Sequence, residues 1–280
     1  AHEGSLGFAL SYIDSAKDAG VTDVKFQMHI AEEESTKDEQ FRVSIFPQDK
    51  TRYEYWQRTG FTFDQWKIIV ERCRRNNINL IISPFSEKAI SWCFDLGVLS
   101  IKLGSGELNN YHLISKAKEF ATEIILSTGM SNWDEIDKAY SFLKDYKNDL
   151  YILHCTSKYP CKLEEVGLLN IKRIKERYKC KSGLSDHTGL LAPLLLAKTL
   201  GCTSMIEFHV TFHKSMFGPD CSSSLTFEEV NLLVKYFDQF NILLNSDTNK
   251  NIFSNEMNDM KDLFGRSYVA SRDIIKHEVI

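Results

Sequence analysis

An α/β barrel of the (β/α)8 type, a TIM barrel, is predicted for this chain by three observations. Apolar strand patterns and amphipathic helix patterns alternate at short intervals along most of its length, as a parallel sheet clad in helices requires. Polar residues recur on one face near the C-terminal ends of strands that should otherwise be apolar throughout, which is where such barrels place their sites. The chain has 280 residues, and one such barrel commonly fills about 250.

The elements follow in order. Leu6, Ala9, Leu10, Ile13 and Ala16 fall at helical spacing over residues 5–19, and Gly20 supplies the stop. Residues 21–28 read as a strand with Val24 and Phe26 on one face and Asp23, Lys25 and Gln27 on the other. The charged, aromatic stretch 31–60 is too long for a simple connector and is expected to fold as one long loop over the barrel mouth. Residues 63–76 form a helix with Trp66, Ile69, Val70 and Cys73 on its buried side, and 78–84 a strand. The alternation continues through helix 86–96, strand 98–106 with Lys102 and Gly104 on one face, helix 110–120 and strand 123–129. Helix 133–146 has an acidic first turn that suits its dipole, strand 150–157 follows, and residues 163–178 read as one helix.

Residues 181–220 organise the rest. Two short β runs, each ending in a histidine, flank one apolar helix, and a Gly-Pro-Asp turn closes the unit. Ser185 and His187 share one strand face, as do Glu207 and His209, because side chains alternate with period two. His187 and His209 are therefore expected at the ends of adjacent parallel strands. Residues 227–244 form the last long helix. This gives seven strands and eight helices. An eighth strand before Ala1 would complete the barrel, so residues 1–245 read as a barrel domain whose first strand is missing. Residues 246–280 read as a linker toward a C-terminal module that is absent.

Composition excludes some function classes. The formal net charge is −4 and the pI near 6.1, with basic residues dispersed, so nucleic acid is not an expected partner. No apolar run is long enough to cross a bilayer and no signal peptide is present, so a membrane is not expected either. The seven cysteines are odd in number and lack metal-ligand spacing, which fits reduced, buried thiols of a cytoplasmic protein.

If every strand C-terminus faces one mouth, that mouth collects Lys25, Gln27, Lys102, Ser105, Glu107, Ser127, Tyr159, Ser185, His187, His209 and Asp220. Two lysines with several hydroxyls suit a phosphate or carboxylate, and Gly104-Ser105-Gly106 lets backbone N–H groups approach an anion. Two imidazoles on neighbouring strands suit a divalent metal with positions left for water and substrate. Asp220, Glu107, Gln27 and Tyr159 suit sugar hydroxyls. Each residue also has a structural reading. A strand lysine commonly pairs with an acid across a barrel, and a lone strand histidine is more often a hydrogen-bonded core residue than a ligand. His154, inside an apolar strand, and His213, in a loop, read as structural or solvated. Glu207 reads as a residue that orients or neutralises its neighbours. His29 with Glu32, Glu33 and Glu34 reads as a solvated loop face, and Tyr53, Tyr55 and Trp56 as packing of the long loop.

These same stretches carry a resemblance. KFQ at 25–27, SPFS at 83–86, KLGSGELNN at 102–110, LSTGM at 126–130, HCTSKYP at 154–160, GLSDHTG at 183–189, IEFHVTF at 206–212 and GPD at 218–220 together resemble the sialic acid synthase family, which comprises N-acetylneuraminate synthase and its legionaminate and pseudaminate relatives. The resemblance covers nearly the whole chain in order. It implies condensation of phosphoenolpyruvate with an N-acetylmannosamine-type sugar to a nine-carbon 2-keto acid, with release of phosphate. It implies that His187 and His209 bind a divalent ion, usually Mn²⁺, and that Lys25 and Lys102 hold phosphoenolpyruvate with help from Ser105, Ser127 and Ser185. Sugar contacts fall on Gln27, Glu107, Tyr159 and Asp220. In that family a first-strand E-I-G motif and a C-terminal antifreeze-like domain, swapped between the subunits of a homodimer, complete the site. Both are expected to lie outside these 280 residues. Two other readings are weighed against it. One is a phosphoenolpyruvate-condensing barrel acting on a sugar phosphate, which needs a second phosphate site for which the mouth has too few basic residues. The other is a barrel that binds metal or sugar without catalysing.

Overall fold

The computed structural model describes residues 2–41, 48–246 and 249–279. Residues 42–47 of the expected long loop, 247–248 of the expected linker and both terminal residues lie outside the described residues. Eight parallel strands stand side by side in chain order and curl into a half-barrel. They are β1 (Asp23–Met28), β2 (Asn79–Pro84), β3 (Ser100–Leu103), β4 (Glu123–Ser127), β5 (Asp149–Cys155), β6 (Lys181–Asp186), β7 (Thr203–Thr211) and β8 (Ser224–Thr226). The helices that precede, join and follow the strands include α1 (Leu6–Asp18), α2 (Ala31–Glu34), α3 (Arg52–Thr59), α4 (Phe63–Arg75), α5 (Glu87–Asp95), α6 (Tyr111–Lys118), α7 (Trp133–Leu143), α8 (Leu169–Tyr178), α9 (Leu191–Thr199) and α10 (Phe227–Asn245).

Local chemistry sets the helix starts. Ser5, Thr62, Ser86, Asn110 and Asn132 each accept a hydrogen bond from a backbone N–H of the first turn, and Thr62 with Gln65 and Asn132 with Glu135 form capping boxes. The sheet's two faces do different work. Ile82, Ile101, Ile124, Leu126 and Ile152 pack outward under the helices in the main core. Ile81, Ile125 and Leu153 form a separate small cluster with Met205 and Tyr151, an apolar layer inside the barrel. Because side chains alternate, the residues two positions further on from Leu153 and Met205 share that inner face. These are Cys155 and Glu207, at the C-terminal ends of β5 and β7.

The register between β6 and β7 shifts at Ser182/Gly183. A side chain at Gly183 would meet the Met205 carbonyl oxygen at 2.2 Å, so only glycine permits this irregularity. Beyond it Ser185 stands opposite Glu207 and, on the other flank, Cys155 opposite Ser185.

Four sequence expectations change. The strand count of seven omitted β8, whose three residues are too few to show any period. The stretch 31–60 is not one loop, since it contains α2 and α3. Residues 163–178 are not one helix: a 3₁₀ turn at Leu163–Glu165 and α8 are separated by Gly167 at φ +63°. Strand 98–106 ends at Leu103, and Ser105–Glu107 is a 3₁₀ turn above it. The chain divides into two compact units, Ala1–Asp238 and Gln239–Ile280. The second carries two further short helices, α11 (Lys250–Glu256) and α12 (Asn258–Phe264), with Ile252, Leu263 and Phe264 exposed. Among the described residues no helix is long and apolar enough to cross a membrane.

Candidate active site

Three charged side chains from three walls meet inside the half-barrel. Lys25 on β1 and Lys102 on β3 both reach the carboxylate of Glu207 on β7. Lys25 Nζ lies 3.2 Å from Oε1, and Lys102 Nζ lies 2.6 Å from Oε1 and 2.5 Å from Oε2. Lys102 is buried, at 6% exposure. Burial alone would raise the Glu207 carboxyl, yet Lys102 and Lys25 outweigh it and hold the group well below the usual carboxylate range. Burial pulls the Lys102 ammonium below its ordinary value, and Glu207 opposes that pull.

The two histidines lie beside this triad on β7 and at the end of β6, their ring centroids 5.2 Å apart. His187 is buried, and its Nδ1 lies 3.0 Å from the Thr156 carbonyl oxygen. Burial opposes the charged form of His187, but the Cys155 thiol and the Thr156 carbonyl turn the shift upward. His209 Nδ1 faces Asp220 Oδ2 at 3.6 Å. Burial pushes the His209 imidazole down to about 4 against the pull of Asp220, with Lys25 and His187 adding to the fall. Tyr159 closes this corner, its ring 4.3 Å from that of His187 and 6.0 Å from that of His209.

Cys155 is the residue that sequence reasoning missed. Its Sγ lies 3.6 Å from Ser105 Oγ, 3.7 Å from His187 Nδ1 and 3.8 Å from Ser157 Oγ. Burial would raise the thiol, and His187 brings it below its ordinary value instead. The usable signal was the period-two step from Leu153. Gly129 completes this cradle: its N–H donates to Ser105 Oγ at 2.9 Å, and a Cβ there would lie 2.3 Å from Ser157 Oγ and 2.6 Å from Cys155 Sγ.

The remaining expected residues fall as follows. Ser127 and Ser185 are buried, and the Ser127 hydroxyl has no partner among the described residues. Gln27 is exposed, and the Glu107 carboxylate accepts from Asn110 Nδ2 at 2.8 Å. Neither hydrogen-bonds to the lysines or histidines among the described residues. His154 Nε2 lies 2.7 Å from the Val166 carbonyl, a structural contact, and His213 Nδ1 accepts from the Ser215 N–H. His29 is not a solvated face. It stacks between Trp56, at 3.6 Å, and Phe85, at 4.3 Å, while its Nδ1 contacts Glu34 at 2.9 Å. That stack fastens α3 against the ends of β1 and β2. Tyr55 of the same helix is raised by burial, with the charges of Glu3 and Asp220 adding, so α3 stands near the Asp220 corner.

The donor chemistry can be tested against a metal. His187 Nδ1 is taken up by a carbonyl, which leaves Nε2 with its lone pair, the arrangement that orients a ligating imidazole. Among the described residues no group of three or more His, Cys, Asp or Glu side chains gathers as a complete ligand set. The pair therefore fits a divalent ion whose other positions are filled by water and substrate. The lumen offers two cations converging on one carboxylate, next to two imidazoles, the Asp220 carboxylate and a row of hydroxyls. It can bind a small, multiply charged anion beside a polar partner.

The model of the NeuB family matches residues 12–249. N,N'-diacetyllegionaminic acid synthase of Campylobacter jejuni is 30% identical over 284 aligned residues, covering 99% of this chain and 84% of that protein. Pseudaminic acid synthase of Helicobacter pylori is 30% identical, covering 100% of this chain and 82% of that protein. A crystal structure of N-acetylneuraminic acid (sialic acid) synthetase from Leptospira borgpetersenii in complex with citrate superposes with a TM-score of 0.77 at 26% identity. It covers 95% of this chain and 90% of that chain.

Proposed function

The chain belongs to the NeuB family, and from that premise we propose that it condenses phosphoenolpyruvate with an N-acetylmannosamine-type aldose. The product is a nine-carbon 2-keto acid, and inorganic phosphate leaves. The chain is an enzyme, since its named relatives are synthases. The observation that carries the substrate reading is the convergence of Lys25 and Lys102 on one half-buried carboxylate in the same lumen as the His187–His209 pair.

In this reading the two lysines take the phosphate and carboxylate of phosphoenolpyruvate. They are helped by the hydroxyls of Ser105, Ser127 and Ser185, with Ser105 held at the Cys155 cradle by the Gly129 N–H. The partnerless, buried Ser127 hydroxyl supports an anion there, because a buried donor without an acceptor is costly. His187 and His209 would hold a divalent ion, Mn²⁺ in our proposal. Such an ion supplies Lewis-acid polarisation of an aldehyde oxygen. Tyr159 and Asp220 stand at the histidine corner, where they can order the sugar's hydroxyls, with Gln27 and Glu107 as further sugar contacts. With both partners held, C3 of phosphoenolpyruvate forms a bond to the aldehyde carbon, whose oxygen takes up a proton. Water adds at C2, and the C–O bond to phosphate at that carbon breaks. Positioning accounts for much of the acceleration, and the reaction needs no covalent bond to the protein.

The test is phosphate release from phosphoenolpyruvate, with Mn²⁺ and with N-acetylmannosamine or di-acetamido analogues added one at a time. Release with one sugar supports the reading and identifies the acceptor. Release only with a sugar phosphate, or with none, overturns it.

A further inference from the structure

Glu207 is unassigned by the reaction just described, yet it makes the closest contacts in the lumen. Both lysine Nζ atoms reach its Oε1, at 3.2 and 2.6 Å, so the two ammonium groups cannot be farther apart than the sum of those distances. Two like charges that close inside a barrel repel strongly. They arrive from β1 and β3, with β2 between them, and a shared carboxylate draws them together. The carboxylate that does so comes from β7 on the far wall, beyond the Gly183 irregularity that sets β7 against β6.

We propose that Glu207 is a positioning residue that holds the Lys25 and Lys102 side chains converged, so that the anion of phosphoenolpyruvate meets a preassembled pair of cations. The proposal rests on the phosphoenolpyruvate reading and deepens it. The geometry favours this role over a plain structural ion pair, because Glu207 is outnumbered. One carboxylate against two ammonium groups leaves a net positive charge, which a multiply charged anion satisfies and a neutral ligand does not. The groups that face Lys102 are Glu207 from β7, Lys25 from β1 and Cys155 from β5. Of these, Lys25 works with burial to strip the Lys102 proton, and the two acidic groups work to keep it. Glu207 makes the only hydrogen bond to Lys102 Nζ among the described residues. Without it, Lys102 gives up its proton at a lower pH and the pair becomes a single cation.

The experiment is calorimetric binding of phosphoenolpyruvate and of Mn²⁺, measured separately and across pH, to the wild type, Glu207→Gln and Glu207→Asp. The expected result is phosphoenolpyruvate affinity at least tenfold weaker in Glu207→Gln, partly restored in Glu207→Asp, with Mn²⁺ affinity unchanged. The alkaline limit of phosphoenolpyruvate binding should also move to lower pH in Glu207→Gln. Unchanged or tighter phosphoenolpyruvate binding in Glu207→Gln overturns the proposal, since Glu207 would then be a bystander or a competitor. A parallel loss of Mn²⁺ affinity also overturns it, by placing the effect at His209 instead. Failure of the two readings is distinguishable. Wild-type protein that binds phosphoenolpyruvate but releases no phosphate with any sugar sinks the condensation and leaves the lysine pair standing. Turnover with equal affinities in wild type and variant does the reverse.

Discussion

The Thr156 carbonyl oxygen lies 3.0 Å from His187 Nδ1, and because a carbonyl can only accept, it fixes which nitrogen of that imidazole carries the proton. In the neutral ring the lone pair is then on Nε2. His209, 5.2 Å away between ring centroids, has its Nδ1 directed to Asp220. The His187 ring is thus oriented by a neighbour through one nitrogen, which is how a protein prepares an imidazole as a ligand.

His187→Ala and His209→Ala should each abolish metal-dependent turnover while the barrel stays folded, because neither ring belongs to the apolar clusters that hold the sheet and helices together. Far-UV circular dichroism should be unchanged and Mn²⁺ binding by calorimetry lost. Full activity in either variant would remove the metal assignment.

Lys102→Ala tests the anion side. The Michaelis constant for phosphoenolpyruvate should rise by at least tenfold, the scale expected when a charge-assisted contact to a bound anion is lost. Stripping a fully buried carboxylate of its partner typically costs roughly 3–5 kcal/mol, and Glu207 is only half-buried. The stability loss here should be smaller, because Glu207 keeps Lys25 at 3.2 Å. Steady-state kinetics and a denaturant titration read the two effects separately, and an unchanged Michaelis constant would count against the anion role.

Much of this site was legible in the chain because period-two alternation survives in strands buried on both faces. Ser185, His187, Glu207 and His209 were placed correctly on adjacent strand ends by that rule alone. What alternation cannot supply is which residues meet across the lumen. That depends on the curl of the sheet, so the meeting of Glu207 with two lysines, 182 and 105 positions away in sequence, appeared only in three dimensions. Cys155 was overlooked for a different reason. A cysteine in an apolar strand reads as a small core residue, although it occupies the inner-face position two steps beyond Leu153. β8 escaped because three residues, Ser-Leu-Thr, carry no periodic signal, and their pairing with β7 supplies what the sequence lacks. His29 escaped because three glutamates follow it closely. One of them, Glu34, turns back to the ring while Trp56 and Phe85 cover its faces.

Glu207 also predicts an acid response. Its folded-state pKa is depressed, so the stability it contributes is present above the unfolded value, about 4.3. That stability is lost as pH falls from there through the lower folded value. Glu207→Gln cannot titrate. The gap in urea midpoint between wild type and Glu207→Gln should therefore be widest near neutrality and shrink as the pH is lowered below about 4. A gap that stays constant across that range would show that the carboxylate is not stabilised by the lysines.

Gly129 gives the sharpest steric prediction. Its backbone is held by the N–H bond to Ser105 Oγ at 2.9 Å, and a methyl group there would sit 2.3 Å from Ser157 Oγ, 2.6 Å from Cys155 Sγ and 2.9 Å from Ser105 Oγ. Three atoms on two segments, the end of β5 and the turn after β3, cannot all retreat without moving those segments, since packed interiors transmit such strain. Overpacking of this kind costs typically 1–3 kcal/mol, but its larger effect should be on the site. Ser105 and Cys155 would be driven apart, and with Cys155 the ring of His187 that it touches at 3.7 Å. Gly129→Ala should therefore fold with a modestly lowered melting temperature, bind phosphoenolpyruvate poorly and turn over at least a hundredfold more slowly, as a misplacement of about 1 Å can cause. The double variant Gly129→Ala/Ser157→Gly, which removes the closest of the three clashing atoms, should recover part of that activity. If the single variant has wild-type kinetics, the cradle formed by Ser105, Gly129 and Cys155 is not part of the anion site. If it loses activity and the double variant recovers none, the defect lies in the Ser105 and Cys155 contacts alone.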